Sequence, residues 1–184
     1  MKNGKVVLVG TGFVGMSMAY TMLNRGGVSE LVLIDIDQNK IKGEEMDLNH
    51  GMPFAPQKMT IRAGDYSDCS DAHVVVITAG IAQKPGQTRL ELAETNTRII
   101  KQITQNIMQG GFNGIIIVAS NPVDLMTYVA SEVSGLVSVS PEVVEGLVTV
   151  VPVVLGLEGK TPVDVDGLVT VAGFVTSKDC VLIP

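Results

Sequence analysis

Short apolar runs alternate with longer amphipathic stretches along the first three quarters of the chain. Apolar runs bounded by turn residues predict strands buried in a parallel sheet, and a period near 3.6 residues predicts helices with one buried face. The predicted strands are 5–10, 30–35, 58–63, 73–78 and 114–119, and the predicted helices are 12–25, 38–49, 89–109 and one beginning at 121–122. This alternation of strand and helix is typical of a doubly wound α/β fold.

Residues at the ends of the amphipathic stretches support these boundaries. Asp37 is a suitable N-cap for the second helix, which we expect to end before Gly51. The helix at 89–109 ends at Gly110-Gly111, and its apolar stripe consists of Leu92, Ile99, Ile100, Ile103 and Ile107. The strand at 58–63 is short, and we therefore expect it at an edge of the sheet.

The chain changes character after Gly135. Valine makes up 15 of the last 50 residues, and this segment contains no arginine and no histidine. Its apolar runs at 147–155 and 168–175 are separated by Gly, Pro and Asp, which predicts strands joined by turns. We therefore expect two units, residues 1–134 and a β-rich C-terminal extension at 135–184.

Three glycines follow the first strand as Gly10, Gly12 and Gly15, and Asp35 ends the second strand twenty residues later. In a dinucleotide-binding unit these glycines allow a tight turn, close approach of the pyrophosphate and close helix packing, in that order. The helix N-terminus adds unpaired N–H groups and partial positive charge. Asp35 can accept hydrogen bonds from the adenosine ribose and repels the extra phosphate of NADP. The pattern predicts an NAD site in a Rossmann-type doubly wound parallel sheet, with the Val-rich β extension at the C-terminus.

Composition excludes several other functions. A net charge of −6 without a basic stripe argues against nucleic acid as a partner. No segment reads as a membrane span, and the apolar stretch 6–23 carries the glycine motif rather than the basic leader of a signal peptide. Two cysteines, Cys69 and Cys180, form no disulfide framework and suit a reduced, cytoplasmic setting.

A metal site is the less favoured interpretation of a small acidic cluster. Asp65, Asp68 and Asp71 lie close to Cys69 and could in principle ligate a cation. Their spacing falls in a turn before the fourth strand, which explains these residue types without a ligand. We therefore expect no metal in this protein.

Several motifs, in order and at matching spacing, resemble bacterial L-lactate dehydrogenase of the lactate/malate dehydrogenase family. They are residues 10–15, 33–35, 46–51, 75–80, 83–89 and 121–124, and the resemblance covers about residues 4 to 135. Members of that family reduce pyruvate to L-lactate with NADH. The resemblance therefore implies NAD as the cofactor and a small 2-oxo or 2-hydroxy acid as the substrate.

The resemblance also implies roles for individual cofactor-binding residues. Gly10, Gly12, Phe13, Val14 and Gly15 would lie against the pyrophosphate. Asp35 would bind the adenosine ribose. The remaining contacts would be made under the cofactor and near its nicotinamide end, by Thr78, Ala79, Gly80, Val118 and Asn121.

On the substrate side the resemblance implies a mobile loop that carries Gln83 and Arg89. Arg89 would polarise the substrate carbonyl while the closed loop excludes water, and Asn121 would hydrogen-bond the substrate oxygen. Gln83 stands where malate dehydrogenases carry arginine, so a neutral side chain there favours pyruvate over oxaloacetate. Apart from the resemblance, Arg89 could be a first-turn helix residue, and Asn121-Pro122 a helix start with Pro at N1. The resemblance also makes a cis bond at Asn121-Pro122 plausible.

The family's proton-donor histidine and carboxylate-binding arginine lie in a second domain, which this sequence does not match. Its only histidines are His50 and His73, and its last arginine is Arg98. We interpret His50 as a helix-end residue and His73 as a residue of a solvated strand end. Loss of both functional groups would remove orders of magnitude of catalysis.

Three hypotheses follow for the function. The chain is a lactate dehydrogenase-like oxidoreductase by lineage, with catalytic set Arg89 and Asn121 incomplete. Alternatively it is a truncated or engineered NAD-binding module without turnover. In the third hypothesis the chain is an assembly protein: the valine-rich extension mediates self-association into a homo-oligomer, and nucleotide binding is vestigial.

Overall fold

The computed structural model describes residues 4–83, 85–139 and 153–155. The strands are β1 (Gly4–Val9), β2 (Val28–Ile34), β3 (Thr60–Ala63), β4 (Val74–Ile77), β5 (Ile115–Val118), β6 (Val137–Val139) and β7 (Val153–Leu155). The α-helices are α1 (Phe13–Arg25), α2 (Gln38–Gly51), α3 (Arg89–Gln109) and α4 (Val123–Ser134), with 3₁₀ helices at Met52–Phe54 and Tyr66–Cys69.

A parallel sheet in the order β3-β2-β1-β4-β5 forms the centre of the fold. The chain builds β1, β2 and β3 in one direction and then returns to place β4 on the other side of β1. This reversal is the topological switch of a doubly wound sheet, which confirms the predicted fold class. β3 lies at an edge, as its short length predicts.

The sheet continues beyond β5 with two antiparallel strands. β7 pairs with β5, with Ile116 opposite Val154, and β6 pairs with β7. Of the strands predicted after Gly135, only 153–155 falls within the described residues, and 147–152 and 168–175 lie outside them. The proposed boundary between 1–134 and 135–184 stays a prediction.

Alternating strand residues fill two apolar layers, one on each face of the sheet. On one face, Leu8, Leu31 and Leu33 pack with Met22 of α1 and Ile41 of α2. On the other face, apolar side chains of α3 and α4 pack against alternate strand residues. The helix residues are Ile100, Ile103, Ile107 and Met126, and the strand residues are Val7, Val9, Val32, Val75, Ile77 and Ile116. None of the helices in the described ranges combines the length and apolar character needed to cross a membrane.

Local capping explains why several predicted helix boundaries agree with the structure, although α2 continues through Gly51, past its predicted end. The Asp37 carboxylate accepts the N–H groups of Asn39 and Lys40 and so caps α2. Thr88 and Glu91 form a capping box at the start of α3, whose bounds match the prediction.

The start of α4 requires a correction. Pro122 is the N-cap residue of this helix rather than its first helical residue. Its φ of −70° and ψ of 127° are extended, so the first helical residue is Val123. The Asn121-Pro122 bond is cis, as the resemblance suggests.

Candidate functional site

The predicted cofactor residues lie in loops at the carboxyl ends of neighbouring strands. Gly10 to Gly15 follow β1, Asp35 follows β2, Thr78 to Gly80 follow β4, and Asn121 follows β5. Because these strands are parallel and adjacent, their carboxyl ends meet at one edge of the sheet. We call these four loops the carboxyl edge. In open α/β sheets the crevice at this edge, beside the topological switch, is where ligands bind.

The glycines of the first loop fall into two physical classes. Gly10 has a φ of +103°, and a Cβ there would lie 2.7 Å from the backbone nitrogen of Ala79. A Cβ on Gly15 would lie 2.1 Å from the Gly10 carbonyl oxygen, so α1 can pack this closely only without a side chain. A Cβ on Gly12 would meet no atom of the described residues within 4 Å. These residues leave the space beside Gly12 free, as close approach of a ligand to the backbone requires.

The N-terminus of α1 opens onto the same space. Among the described residues no side chain caps α1 at Gly12, and the first intrahelical hydrogen bond runs from the Met16 N–H to the Gly12 carbonyl at 2.9 Å. The N–H groups of the first turn therefore have no intrahelical acceptor, and the helix dipole favours an anion there. Phe13 is 97% exposed and Val14 is also exposed, so a large apolar surface lies beside this anion-binding end.

The Asp35 carboxylate is fixed against the glycine loop. Its Oδ2 accepts hydrogen bonds from the Thr11 N–H at 2.7 Å and the Thr11 hydroxyl at 2.9 Å, and its Oδ1 accepts the Asp37 N–H at 3.3 Å. Partial burial opposes ionisation, but these hydrogen bonds outweigh it and hold the pKa of Asp35 below its ordinary value. An ionised acceptor therefore stands beside the loop, next to the fully exposed Ile36.

Hydroxyl groups join the β4 loop to the neighbouring loops. The Thr78 hydroxyl donates to the Gly10 carbonyl at 2.7 Å. The buried Ser120 hydroxyl donates to the Ala79 carbonyl at 2.6 Å. These bonds hold Thr78 to Gly80 between the β1 loop and the β5 loop. Val118, at the end of β5, is fully buried below them.

Asn96 of α3 is a site-organising residue that the sequence analysis missed. It is 4% exposed, its Oδ1 accepts the Ile81 N–H at 2.9 Å, and its Nδ2 donates to the Asn121 carbonyl at 3.3 Å. One side chain thus ties the loop after β4 to the loop after β5. The sequence pattern could have identified Asn96, because it lies four residues before Ile100 on the buried stripe of α3, where a polar side chain is unexpected.

The proposed substrate residues lie on or beside the exposed segment between β4 and α3. Gln83 is exposed and its Nε2 donates to the Gln87 carbonyl at 2.7 Å. Arg89 is the first residue of α3 and its side chain is exposed. Asn121 is exposed at the end of the β5 loop. Their roles toward a substrate stay predictions.

A separate group of charged residues pairs where β1 and β2 begin. Lys5, which is buried, lies 2.6 Å from Asp71 and 3.4 Å from Asp68, and Arg62 binds both Asp68 and Glu30. We call these five residues the ion-pair network. The Arg62 guanidinium lowers the pKa of Asp68 from its ordinary value of 3.8 to about 2. Two carboxylates of the acidic cluster considered as metal ligands, Asp68 and Asp71, are thus occupied by cations of the protein itself.

The two histidines lie away from the carboxyl edge. His50 is exposed in the last turn of α2. His73 precedes β4. Its side-chain Nδ1 accepts the backbone N–H of Lys5 at 3.2 Å, and its backbone N–H donates to the Lys5 carbonyl. His73 therefore has a structural partner at the beginning of β1.

The carboxyl edge fits a dinucleotide. It combines an uncapped helix N-terminus, a glycine with open space and an ionised acid on the next strand, and these match a pyrophosphate and a ribose. Fold and site together define a dinucleotide-binding domain of the Rossmann type.

Comparison with known proteins identifies the family. Residues 4–140 match the family model for the lactate/malate dehydrogenase NAD-binding domain, and the chain belongs to this family. It is 56% identical over 131 residues to an L-lactate dehydrogenase of Lactococcus lactis subsp. cremoris, which covers 71% of this chain and 42% of that protein. It is 55% identical over 137 residues to L-lactate dehydrogenase 2 of Bacillus cereus, covering 73% and 44%.

Solved structures show the same relationship. A lactate dehydrogenase from a Medee basin deep-sea metagenome library superposes with a TM-score of 0.72 at 63% identity, over 74% of this chain and 44% of that one. The ligand-bound minor L-lactate dehydrogenase of Enterococcus mundtii gives 0.73 at 51% identity, over the same shares. The chain thus spans less than half the length of the relatives it matches. NAD is the cofactor that the matching domain binds.

Proposed function

We propose that the chain binds NAD(H) across its carboxyl edge, in the manner of an L-lactate dehydrogenase. The observation that carries this proposal is the pairing of open space at Gly12 with an ionised Asp35 on the next strand. The pyrophosphate would lie against the first turn of α1, and the adenosine ribose would bind Asp35. The negative charge of Asp35 disfavours the additional phosphate of NADP.

The lineage reaction that we propose is hydride transfer between NADH and pyruvate, for which the cofactor supplies the hydride. Arg89 would place a cation on the substrate carbonyl, and Asn121 would donate its amide N–H to the same oxygen. The neutral Gln83 offers no charge to a second carboxylate, so it favours pyruvate over oxaloacetate. Asn96 would hold the backbone of Asn121 in place.

These 184 residues contain an incomplete set of catalytic residues for that reaction, because the family's proton-donor histidine and carboxylate-binding arginine lie in a domain that the sequence does not match. The histidines are His50 and His73, and His73 is hydrogen-bonded to Lys5 at the opposite end of β1 from the glycine loop. The last arginine is Arg98, whose guanidinium pairs with Glu94 on the exposed face of α3. We therefore propose that this chain holds NADH without reducing pyruvate.

Titration of NADH by fluorescence, followed by addition of pyruvate to the same sample, tests both parts of the proposal. We expect saturable binding and no fall in absorbance at the NADH band. Oxidation of NADH on adding pyruvate would contradict the absence of turnover, and lack of saturable binding would contradict cofactor binding itself. The Gly12→Val variant is the control for binding outside the glycine loop.

The setting and the assembly of the chain are further proposals. Burial raises the pKa of the free Cys69 thiol to about 11, so this thiol stays protonated, and a reducing cytoplasm suits it.

We propose a homo-oligomer as the assembled form, to be checked by sedimentation of the 184-residue chain with and without NADH.

A further inference from the structure

Thr11 occupies the variable position between the first two glycines of the loop, where the glycine pattern itself demands no particular residue. Its side chain is nevertheless 1% exposed, and both of its hydrogen-bond donors serve one acceptor. The N–H and the hydroxyl of Thr11 lie 2.7 Å and 2.9 Å from Asp35 Oδ2. A single residue thus binds the carboxylate that we propose accepts the cofactor ribose.

The backbone beneath this contact is held from both strands. The Gly10 N–H donates to the Ile34 carbonyl at 2.8 Å, which joins the β1 loop to the end of β2. The Thr78 hydroxyl binds the Gly10 carbonyl from the other side. Thr11 therefore donates from a fixed position, and its two bonds restrict rotation of the Asp35 carboxylate about its side-chain torsions.

The two oxygens of Asp35 are held unequally. Oδ2 has two donors from Thr11 at short distances, whereas Oδ1 has only the Asp37 N–H at 3.3 Å. A ribose needs both of its hydroxyls accepted by a carboxylate in one orientation, and a hydrogen bond to a charged acceptor loses most of its value when the geometry is poor. The orientation of Oδ1 therefore depends on the two hydrogen bonds that hold Oδ2 to Thr11.

We propose that Thr11 is a positioning residue that sets the preference of this site for NAD over NADP. By holding Asp35 Oδ2, the hydroxyl directs the carboxylate at the ribose, where it accepts the 2′-hydroxyl and repels a 2′-phosphate. Without the hydroxyl, the carboxylate turns away more readily, which weakens NADH binding and relieves the repulsion of NADPH. This inference rests on the proposed binding of NAD(H) at the carboxyl edge.

The test is a comparison of NADH and NADPH affinities for Thr11→Val, which removes the hydroxyl and keeps the β-branched shape. We expect NADH affinity to fall about tenfold and NADPH affinity to change less than about twofold, since one hydrogen bond to a charged group is lost. Thr11→Ser restores the hydroxyl, and we expect NADH affinity within about threefold of the parent chain. Thr21→Val is the matched control, because the Thr21 hydroxyl donates only to Ser17 on the outer face of α1.

Thermal unfolding of each variant shows whether the fold is kept, and Thr11→Ala repeats the test if the valine variant does not fold. A selectivity ratio that Thr11→Val and Thr11→Ala leave unchanged would overturn the inference, and so would an equal loss for both cofactors. These outcomes leave the proposed function standing. Failure of the parent chain to bind NADH would overturn the proposed function and this inference together.

Discussion

Charged side chains in the ion-pair network pair with one another, whereas at the carboxyl edge the first N–H groups of α1 have no intrahelical acceptor. In the network, Lys5 and Arg62 bind three carboxylates, and Lys5 is buried in doing so. At the carboxyl edge, the first turn of α1 has no capping side chain, and the apolar Phe13 and Ile36 are almost fully exposed. The same sheet thus carries one polar region that needs no ligand and one that a ligand would complete.

This difference separates residues that stabilise the fold from residues that bind. A change in the ion-pair network alters the free energy of unfolding, because it leaves a partly buried charge without its partner. A change at Gly12 or Asp35 is expected to alter cofactor affinity, because both residues border the space in which we propose that the cofactor binds. The following variants test that separation, in order of decreasing expected effect.

Gly12→Val has the largest expected effect on binding. The branched side chain would fill a space that holds no atom of the described residues within 4 Å, so NADH affinity should fall at least about 100-fold in a fluorescence titration. Valine is a poor N-cap, which costs about 1 kcal/mol of stability. Gly43→Val in α2, where a Cβ also meets nothing within 4 Å, is the matched control and should bind normally. Normal binding by Gly12→Val would show that the phosphate lies elsewhere.

Asp35→Asn removes the charge that we propose binds the adenosine ribose. We expect NADH binding to weaken by about 1–3 kcal/mol, through loss of charge-assisted hydrogen bonds. Asp47→Asn removes one exposed carboxylate on α2 and controls for the change in net charge. Equal affinities of the Asp35→Asn and Asp47→Asn variants would refute the ribose role.

Asp68→Asn probes the ion-pair network. Asp68 is 17% exposed, and its pKa is about 2 in the folded chain against an ordinary value of 3.8. Loss of its charge should lower the free energy of unfolding near neutral pH by about 2 kcal/mol. NADH affinity should stay within about twofold of that of the parent chain. A much larger loss would contradict the distinction between residues that stabilise the fold and residues that bind the cofactor.

The pH dependence of stability follows from the same residue. Because the folded pKa of Asp68 is depressed, its contribution is complete above the unfolded pKa and is lost as the pH falls through the folded pKa. The chain should therefore lose stability between about pH 4 and pH 2 in chemical denaturation, and Asp68→Asn should flatten this part of the curve. An unchanged acid limb in the variant would contradict the ion-pair assignment.

Among the variants that are expected to weaken NADH binding, Asn96→Ala should have the smallest effect. Its loss frees the loops after β4 and β5 from each other, and we expect NADH binding to weaken about threefold, which corresponds to one modest hydrogen bond. Asn96→Asp keeps the acceptor for Ile81 and loses the donor to Asn121. If Asn96→Asp weakens NADH binding as much as Asn96→Ala does, the hydrogen bond to the Asn121 carbonyl is the one that matters for affinity.

Much of the fold follows from local chemistry that the sequence displays. The bounds of α3 agree with the prediction because Thr88, Glu91 and Gly110 determine its ends locally. The parallel strands are recognisable because they are buried on both faces and therefore continuously apolar. The glycine spacing and Asp35 likewise place the candidate site at one edge of the sheet, since both follow strands that pair directly.

Other features depend on contacts that no local pattern contains. Asn96 acts through Ile81 and Asn121, which lie 15 and 25 residues away along the chain. Thr11 occupies a variable position, and its importance appears only when β2 brings Asp35 beside it. The pairing of β7 with β5 was equally hidden, because a valine-rich run sets no register and no partner by itself.

Mapping amide chemical shifts during an NADH titration tests the central claim most directly, since it reports on both regions of the sheet in one experiment. We predict saturable shifts at Thr11, Phe13 and Val14, and at the residue after Asp35, with none at Lys5 or Asp68. Saturable shifts confined to the ion-pair network, or no saturable shift at the carboxyl edge, would contradict the account.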